Sequence, residues 1–289
     1  MSKDSEECRD LLVHVHIPKC GGTSFNTILT HLYGKDCALD YGLLWSYQYD
    51  RKQFQEIVRL YPALKAVASH RFSLDLPWGE PGLALHPISF VRDPVDRIAS
   101  WYFYTRFHKT LGTRSRDMSL RDYCADLISR DDDDAKMLLN GQLRFLTGEA
   151  TEASLERIRT HLRDRTAWIF PVERFDEACL LLERQLPGLL PDTAYIKKNV
   201  SKRDQPIDPA IRELLAPHVR LDQGLRDACT EAMERLLAGT PVAGQLEDFQ
   251  RRCQSLARSQ KGLGQWWRRT RQRWAHSLRK RMAPKTSRI

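Results

Sequence analysis

Short apolar runs alternate along the chain with longer segments in which apolar residues recur every three or four positions. The short runs are rich in β-branched residues and predict buried strands at 11–17, 64–68, 87–91 and 167–172. The periodic segments predict helices that begin near residues 25, 50, 93, 119, 155, 175 and 221. Strands that alternate with helices are typical of an α/β fold with a central, mostly parallel sheet flanked by helices. In such a fold, ligands bind where the carboxyl ends of the strands meet helix N-termini.

The segment between the first predicted strand and the first predicted helix has the composition of an anion-binding loop. Glycines let a backbone approach an anion closely, and the unpaired N–H groups and dipole of a helix N-terminus favour negative charge. A lysine adds a full charge and two hydroxyl groups add donors, so the sequence predicts a phosphate site at Lys19, Cys20, Gly21, Gly22, Thr23 and Ser24. The lysine precedes both glycines, unlike the Walker A order. A tight strand-to-helix turn without a ligand is the alternative.

A second anion site is predicted after the third strand. Arg92 follows this strand, Asp93 is a good N-cap and Pro94 suits the first helical position. A guanidinium group at a strand end can hold a phosphate through two hydrogen bonds. Ser100 lies two helical turns further on and contacts the same phosphate only if a nucleotide lies along the helix. A structural ion pair of Arg92 and a solvent-facing or backbone-bonded Ser100 are the alternatives.

Among the nine histidines, His70 is the best placed for proton transfer at neutral pH. It follows the carboxyl end of the second predicted strand and therefore lies on the expected ligand edge. His14 and His16 fall within the first strand, where buried core histidines are expected, and His86 lies at the opposite end of the sheet. A loop histidine that caps a helix or binds a substrate is the alternative, and Asp75 is then a further candidate base.

The cysteines indicate a reducing compartment. Seven are scattered along the chain without a C-x-x-C pair, which favours neither a disulfide framework nor a metal site. Cys20 lies beside Lys19 at a helix N-terminus, where a thiolate is favoured. A catalytic nucleophile is one interpretation of Cys20, but a small space-filling residue that happens to be reactive is preferred.

Three of these segments resemble motifs of one enzyme family. Residues 18–24 are similar to the 5′-phosphosulfate loop of the sulfotransferases that use PAPS, 3′-phosphoadenosine 5′-phosphosulfate. Residues 88–107 resemble the 3′-phosphate segment of that family, R-D-P-x-x-R-x-x-S-x-[YF]. Ser69-His70-Arg71-Phe72 is similar to the G-H-x-x-[FY] motif of the heparan sulfate and dermatan or chondroitin 2-O-sulfotransferases, with Ser69 where glycine is frequent. The resemblance covers residues 11–238.

The resemblance implies a three-layer P-loop-like fold and in-line transfer of a sulfuryl group from PAPS, without a metal, to a hydroxyl group of a carbohydrate or glycan. It implies catalytic roles for Lys19 and for His70 as the base. The nucleotide-binding residues that it implies are Lys19, Cys20, Gly21, Gly22, Thr23, Ser24, Arg92, Ser100, Lys198 and Ser201. The alternative functions are an NTP-dependent phosphotransferase and a non-catalytic nucleotide-binding, membrane-associated protein. No nucleic-acid partner is expected.

The positive charge of the chain is concentrated at its C-terminal end. Thirteen of the 46 Lys and Arg residues and none of the 37 acidic residues lie from Arg251 onward. The first 250 residues therefore carry 33 basic against 37 acidic residues, a net charge of −4, although the whole chain carries +9. We interpret residues 11–245 as the sulfotransferase domain and residues 246–289 as a basic amphipathic helix or tail.

The C-terminal segment has the pattern of a helix that lies on a membrane surface. Between 263 and 282, Trp267 and Trp274 share one helical face with leucines, while arginines cover much of the rest. A helix packed on the domain, a disordered basic tail and a tail that binds an acidic glycan or sulfated product are the alternatives. Residues 1–10 are polar and lack the apolar h-region of a signal peptide, and the chain contains no apolar run of the ~20 residues that a membrane span needs. These patterns predict a cytoplasmic protein that can lie peripherally on the inner face of a membrane.

Overall fold

A parallel sheet forms the centre of the molecule. The structure, a computed structural model, describes residues 8–40, 48–75, 82–107, 114–197 and 206–259. Within these ranges, β1 (Arg9–Val15), β2 (Cys37–Asp40), β3 (Ala66–Ser69), β4 (Leu83–Val91) and β5 (Trp168–Pro171) form one sheet in the order β2–β3–β1–β4–β5. Every neighbouring pair is parallel. The predicted α/β class, a three-layer P-loop-like fold with a central parallel sheet flanked by helices, is confirmed.

Helices connect and cover the strands. The described helices are α1 (Gly22–Tyr33), α2 (Arg51–Leu60), α3 (Pro94–Phe107), α4 (Arg114–Asp117), α5 (Leu120–Ile128), α6 (Asp133–Leu138), α7 (Gly141–Thr147), α8 (Glu152–Arg163), α9 (Phe175–Gln185), α10 (Pro209–Leu215), α11 (Arg220–Gly239) and α12 (Leu246–Ser259). The predicted N-cap of α3 is confirmed, because the Asp96 N–H donates to Asp93 Oδ1 at 2.8 Å. None of the helices in these ranges is long and apolar enough to cross a membrane.

The register of the sheet brings three chain segments to one edge. Val15 at the end of β1 is opposite Ser69 of β3, and His14 is opposite Ile88 of β4. Because parallel strands end at the same edge, the loop after β1, the residue after β3 and the residue after β4 are neighbours there. Both faces of β1 are covered, so its residues from Leu11 onward are buried without alternation.

The sequence pattern predicted β1, β3, β4 and β5 but differs from the structure in two places. It did not predict β2, whose four residues are too few to show a strand pattern. It began the third predicted strand at Pro87, whereas β4 begins at Leu83. The first four residues of β4 are only half-buried, and His86 interrupts the apolar run there. The four predicted strands were recognisable because buried residues in succession leave a continuous apolar signal.

The first part of the predicted tail packs on the folded body. In α12, Phe249 is fully buried and belongs to the hydrophobic core. Arg252, one turn later, forms an ion pair with Glu183 of α9 at 3.0 Å and a second one with Asp192. Phe249 and Arg252 therefore anchor α12 to the folded body. The amphipathic segment that predicts membrane binding lies outside the described residues.

Candidate active site

The loop between β1 and α1 has a backbone that its neighbours fix. Gly21 is the N-cap residue of α1 and has a φ of +77°, and a Cβ atom there would lie 2.5 Å from Val172 Cγ2. Lys19 also adopts a left-handed conformation, with a φ of 69°. The Ser24 N–H donates to the Gly21 carbonyl at 2.9 Å and begins the helix. The first-turn N–H groups of α1 therefore face the end of the sheet, as an anion site requires.

Lys19 and Arg92 are two cations held close together beside this helix N-terminus. The Arg92 Nη1–H donates to the Lys19 carbonyl at 3.2 Å. The Lys19 Nζ atom lies 4.0 Å from the ring centroid of Tyr104 on α3, a cation–π contact. Burial and the nearby charge of Arg92 lower the pKa of Lys19 to about 8. An anion bound here is stabilised by both charges and relieves their mutual repulsion.

A single buried amide joins the two predicted anion sites. Gln142 near the start of α7 accepts from the Arg92 N–H at 2.8 Å and donates through Nε2 to the Arg92 carbonyl at 2.9 Å. Its Oε1 also accepts from Cys20 Sγ at 3.2 Å. Gln142 therefore fixes the end of β4 and the loop after β1 in one arrangement.

A buried arginine and a buried aspartate complete this framework. Arg97 on α3 donates through Nε to the Pro18 carbonyl at 3.1 Å and through Nη2 to the Met137 carbonyl at 3.0 Å. Asp222 of α11 accepts from the backbone N–H groups of Gln142 and Leu143 at 3.1 and 2.9 Å, which caps α7. Burial raises the pKa of Asp222, while the charge of Arg97 opposes that shift. Each of these charges makes the burial of the other less costly.

The structure corrects the interpretation of Cys20. Its side chain is 1 % exposed and points into the core, not into the loop. Burial raises the pKa of the Cys20 thiol to about 12, so the prediction of a favoured thiolate was wrong. The helix N-terminus does not lower the pKa because desolvation of the thiolate is the larger effect. Cys20 is a space-filling, unreactive residue whose S–H donates to Gln142.

His70 follows β3 at the same edge of the sheet. Its Nδ1 atom lies 2.6 Å from the carbonyl oxygen of His16, and the two imidazole rings are 4.3 Å apart. A carbonyl oxygen only accepts, so Nδ1 carries the proton of the neutral ring and Nε2 is its basic nitrogen. Burial lowers the pKa of His70, which keeps the ring neutral near pH 7.

The other histidines and candidate bases lie as the sequence predicts or are engaged elsewhere. His14 is a buried core residue whose pKa is lowered to about 3, and burial lowers the pKa of His16 as well. His86 pairs with Asp10 at the opposite edge of the sheet, at 2.7 Å. Asp75 forms an ion pair with Arg157 of α8 at 2.9 Å.

The remaining predicted nucleotide-binding residues fall into two groups. Ser24 and Thr23 lie in the first turn of α1, the first buried and the second half-buried. Ser100 lies on α3 and is 2 % exposed, so the solvent-facing alternative for this serine was wrong. Lys198 and Ser201 lie outside the described residues.

Sequence analysis missed the residues that hold the site in place. Gln142 of α7 contacts both the loop and the end of β4, and Asp222 of α11 holds Gln142 through its backbone N–H. Tyr104 of α3 contacts Lys19, and Asn26 of α1 contacts His14 and His16. Two of them carried a usable signal. Asn26 is four residues after Gly22 on the same face of α1, and Asp222 is an acidic residue beside Leu221 in an apolar helical stripe.

Comparison with known proteins identifies the class of this chain. Residues 7–164 match the sequence profile described as "Sulfotransferase family", and this match covers more than half of the chain. The chain therefore belongs to the sulfotransferase family, enzymes that transfer sulfuryl groups. No curated protein matches the chain significantly.

Two solved structures are similar to this fold. One is the mouse sulfotransferase SULT7A1 complexed with PAP, at 12 % identity and a TM-score of 0.44, covering 78 % of this chain and 94 % of the other. The second is a sulfotransferase from Alicyclobacillus acidocaldarius, at 16 % identity and a TM-score of 0.43, covering 78 % of this chain and 99 % of the other.

The lowered pKa of Lys19 predicts a pH-dependent anion affinity. Lys19 is charged below pH 8 and loses its proton above pH 8. The affinity for 3′,5′-ADP, the desulfated product of PAPS, therefore stays level below that pH and falls above it. Between pH 7 and 9.5 we expect a loss of about thirtyfold, since pH 9.5 lies about 1.5 units above this pKa and each unit corresponds to a tenfold change. Isothermal titration calorimetry at each pH measures this affinity. Lys19→Arg, which remains protonated, is the matched control and removes the decline. An equal decline in both proteins would contradict the assignment.

Proposed function

We propose that this protein transfers the sulfuryl group of PAPS to a hydroxyl group of a carbohydrate or glycan acceptor. One observation carries the proposal: two cations, Lys19 and Arg92, lie together at a helix N-terminus, with the neutral imidazole of His70 on the neighbouring strand end. An anion-binding group beside a proton acceptor is what sulfuryl transfer to an alcohol requires.

The cations and hydrogen-bond donors of the site suit a nucleotide with two separated anionic ends. We assign the first turn of α1, with the backbone of Gly22 and the hydroxyls of Thr23 and Ser24, to the 5′-phosphate end. Arg92 and Ser100 are assigned to the 3′-phosphate, because both lie on the segment that follows β4 and borders the same edge. The loop between β1 and α1 suits a phosphate group. A Cβ atom at Gly21 would collide with Val172 and distort this loop. Lys198 and Ser201 are proposed as further nucleotide contacts on the sequence resemblance alone.

The protein's own residues then divide the chemistry between them. Bound PAPS supplies a sulfuryl group whose leaving group is a phosphate. Lys19 Nζ neutralises the charge that develops on the leaving oxygen, and its partial burial strengthens that interaction. His70 Nε2 takes the proton of the acceptor hydroxyl, while Nδ1 stays bonded to the His16 carbonyl. Positioning and charge stabilisation account for the rate in this scheme, so we propose no metal.

The carbohydrate acceptor is supported by the residues around His70. Ser69-His70-Arg71-Phe72 is similar to the motif of the glycosaminoglycan 2-O-sulfotransferases. In the structure Ser69 and Phe72 are fully buried and hold the strand end, while His70 remains partly exposed. Screening the full-length protein with labelled PAPS against glycan and lipid extracts identifies the acceptor, and a labelled lipid with no labelled glycan would contradict this part of the proposal.

The two phosphate assignments predict different losses for two nucleotides. Lys19→Ala weakens both 3′,5′-ADP and 5′-AMP. Arg92→Gln keeps a donor for the Lys19 carbonyl but loses the charge, so it weakens 3′,5′-ADP by about tenfold to a hundredfold, the value of a charge-assisted hydrogen bond. Its effect on 5′-AMP, which lacks the 3′-phosphate, is much smaller. Calorimetry with both nucleotides tests this, and equal losses for Arg92→Gln would reject the assignment of Arg92 to the 3′-phosphate.

The proposed base predicts a defect in turnover and not in nucleotide binding. His70→Ala lowers kcat by at least about a hundredfold, the usual contribution of a positioned general base. Its affinity for 3′,5′-ADP stays within a few fold of wild type. His86→Ala is the matched control, since His86 pairs with Asp10 at the far edge of the sheet and retains activity. Near-normal turnover of His70→Ala would place the base elsewhere.

We also propose that the protein is cytoplasmic and that its basic C-terminal tail binds anionic membranes. Each basic residue near such a surface contributes ~1 kcal/mol, and the tryptophans at 267 and 274 supply an apolar face. In co-sedimentation with phosphatidylserine vesicles at low salt, the full chain is recovered with the vesicles and a chain ending at Ser259 is not. The Trp267→Ser, Trp274→Ser double variant gives an intermediate recovery. Equal recovery of all three proteins would contradict membrane binding by the tail.

A further inference from the structure

Three buried polar residues next to His70 have no role in the chemistry described above. The rings of His14 and His16 are stacked, with centroids 5.0 Å apart and an angle of 16° between their planes. The His16 ring in turn lies 4.3 Å from that of His70. Asn26 of α1 is fully buried against the first two histidines. The four side chains form a continuous chain from the core to the edge of the sheet.

The amide of Asn26 fixes the tautomer of both buried histidines. Its Oδ1 only accepts hydrogen bonds, so His14 Nδ1 donates to it, at 2.6 Å. Its Nδ2 only donates, so His16 Nδ1 accepts from it, at 3.4 Å. The neutral His16 ring therefore carries its proton on Nε2.

The backbone of α1 holds the His16 ring in this position. A Cβ atom at Gly22 would lie 2.1 Å from His16 Cδ2 and 2.3 Å from His16 Nε2. Only glycine permits so close an approach of helix and ring. Gly22 thus serves two purposes, since the helix turn that faces the proposed phosphate site also prevents the His16 ring from turning.

His16 contacts His70 in two ways. Its carbonyl oxygen accepts the Nδ1–H of His70 at 2.6 Å, and its ring covers one side of the His70 ring. The carbonyl fixes which nitrogen of His70 is protonated, and the ring contact restricts rotation of the imidazole. A histidine whose Nδ1–H is bonded to a backbone carbonyl presents Nε2 as its acceptor.

Opposing effects act on the pKa of His70. The ring stays neutral but can still accept a proton. Burial lowers the pKa values of His14 and His16, so neither ring brings a positive charge to the stack. On the opposite side, the carboxylate of Asp40 at the end of β2 raises the pKa of His70 and partly offsets burial. Arg71 lies beside Asp40, with Nε 4.0 Å from Oδ2.

We infer that Asn26 and His16 are positioning residues for the proposed base: Asn26 orients His16, and His16 holds His70 with Nε2 as its proton-accepting nitrogen. The inference rests on the proposed function of His70 and adds to it two residues that contact neither nucleotide nor acceptor in that scheme.

The test measures the tautomer and pKa of His70 directly and the turnover of the enzyme separately. Long-range ¹H–¹⁵N NMR spectra of the full-length protein report the tautomer and pKa of each histidine. In the wild type, His70 is protonated on Nδ1 and His16 on Nε2. In Asn26→Leu, which keeps the branched shape of the side chain but forms no hydrogen bond, His16 loses its fixed tautomer and the His70 tautomer becomes mixed. We expect kcat to fall by about tenfold to a hundredfold, as for a catalytic group displaced by a fraction of an ångström to one ångström.

A second variant retains the shape of the site. Asn26→Asp replaces the donor Nδ2 by an oxygen, so His16 must carry a proton on Nδ1, and its NMR tautomer changes from that of the wild type. The matched control is Thr147→Val, which removes a buried hydroxyl from the far end of α7 and leaves the His70 tautomer and kcat unchanged. The affinity for 3′,5′-ADP stays within about threefold of wild type in all three variants, because none of them alters a cation of the nucleotide site.

The outcomes separate this inference from the proposed base. If the tautomer and pKa of His70 are the same in the wild type, Asn26→Leu and Asn26→Asp, the positioning role is overturned, whatever the activity of His70→Ala. If both variants shift the His70 tautomer, the positioning role is supported. An active His70→Ala protein would overturn only the assignment of the base.

Discussion

Lys19 and Arg92 repel each other, and the rest of the site is arranged to hold them together. Arg92 donates to the carbonyl of Lys19, which ties the two cations to one backbone segment. The repulsion and partial burial are visible in the lowered pKa of Lys19. A fold that holds two like charges near each other stores electrostatic energy that an anion releases on binding. The proposed preference of the site for a phosphate-bearing ligand rests on that arrangement.

The framework that opposes this repulsion comes from distant parts of the chain. Gln142 bonds to both peptide groups of Arg92 and to Cys20, and Asp222 caps the helix that carries Gln142. Arg97 joins the loop after β1 to the end of α6. Most of these buried polar groups satisfy one another, which lowers the cost of burying them. Among the described residues, Arg97 Nη1 is the exception within this framework, since it is buried without a hydrogen-bond partner. The nucleotide and acceptor sides of the proposed site share this support, since His16 connects the same loop to His70.

The alternation of strands and helices, the N-cap of α3 and the position of His70 at a strand end were all predictable from sequence, because each depends on residues close together in the chain. The pKa of the Cys20 thiol was not predictable in this way. A cysteine next to a lysine at a helix N-terminus predicts a low pKa, but the side chain turns into the core, where desolvation is the larger effect. Edge strand β2 was missed because four residues without a distinctive pattern become a strand only by pairing with β3.

The sequence by itself determined the fold class and the residues that we propose for the site. Lys19, Arg92 and His70 are identifiable from local pattern because glycines, prolines and strand ends leave local signals. Only the tertiary structure decided which side chains hold them. Gln142 is 50 residues from Arg92 and Asp222 is 80 residues from Gln142, and no short-range pattern connects such positions. The protonation states of the buried groups were likewise decided by the tertiary structure. The pKa of a buried group depends on desolvation and on neighbours from other elements, and these exist only once the chain has folded.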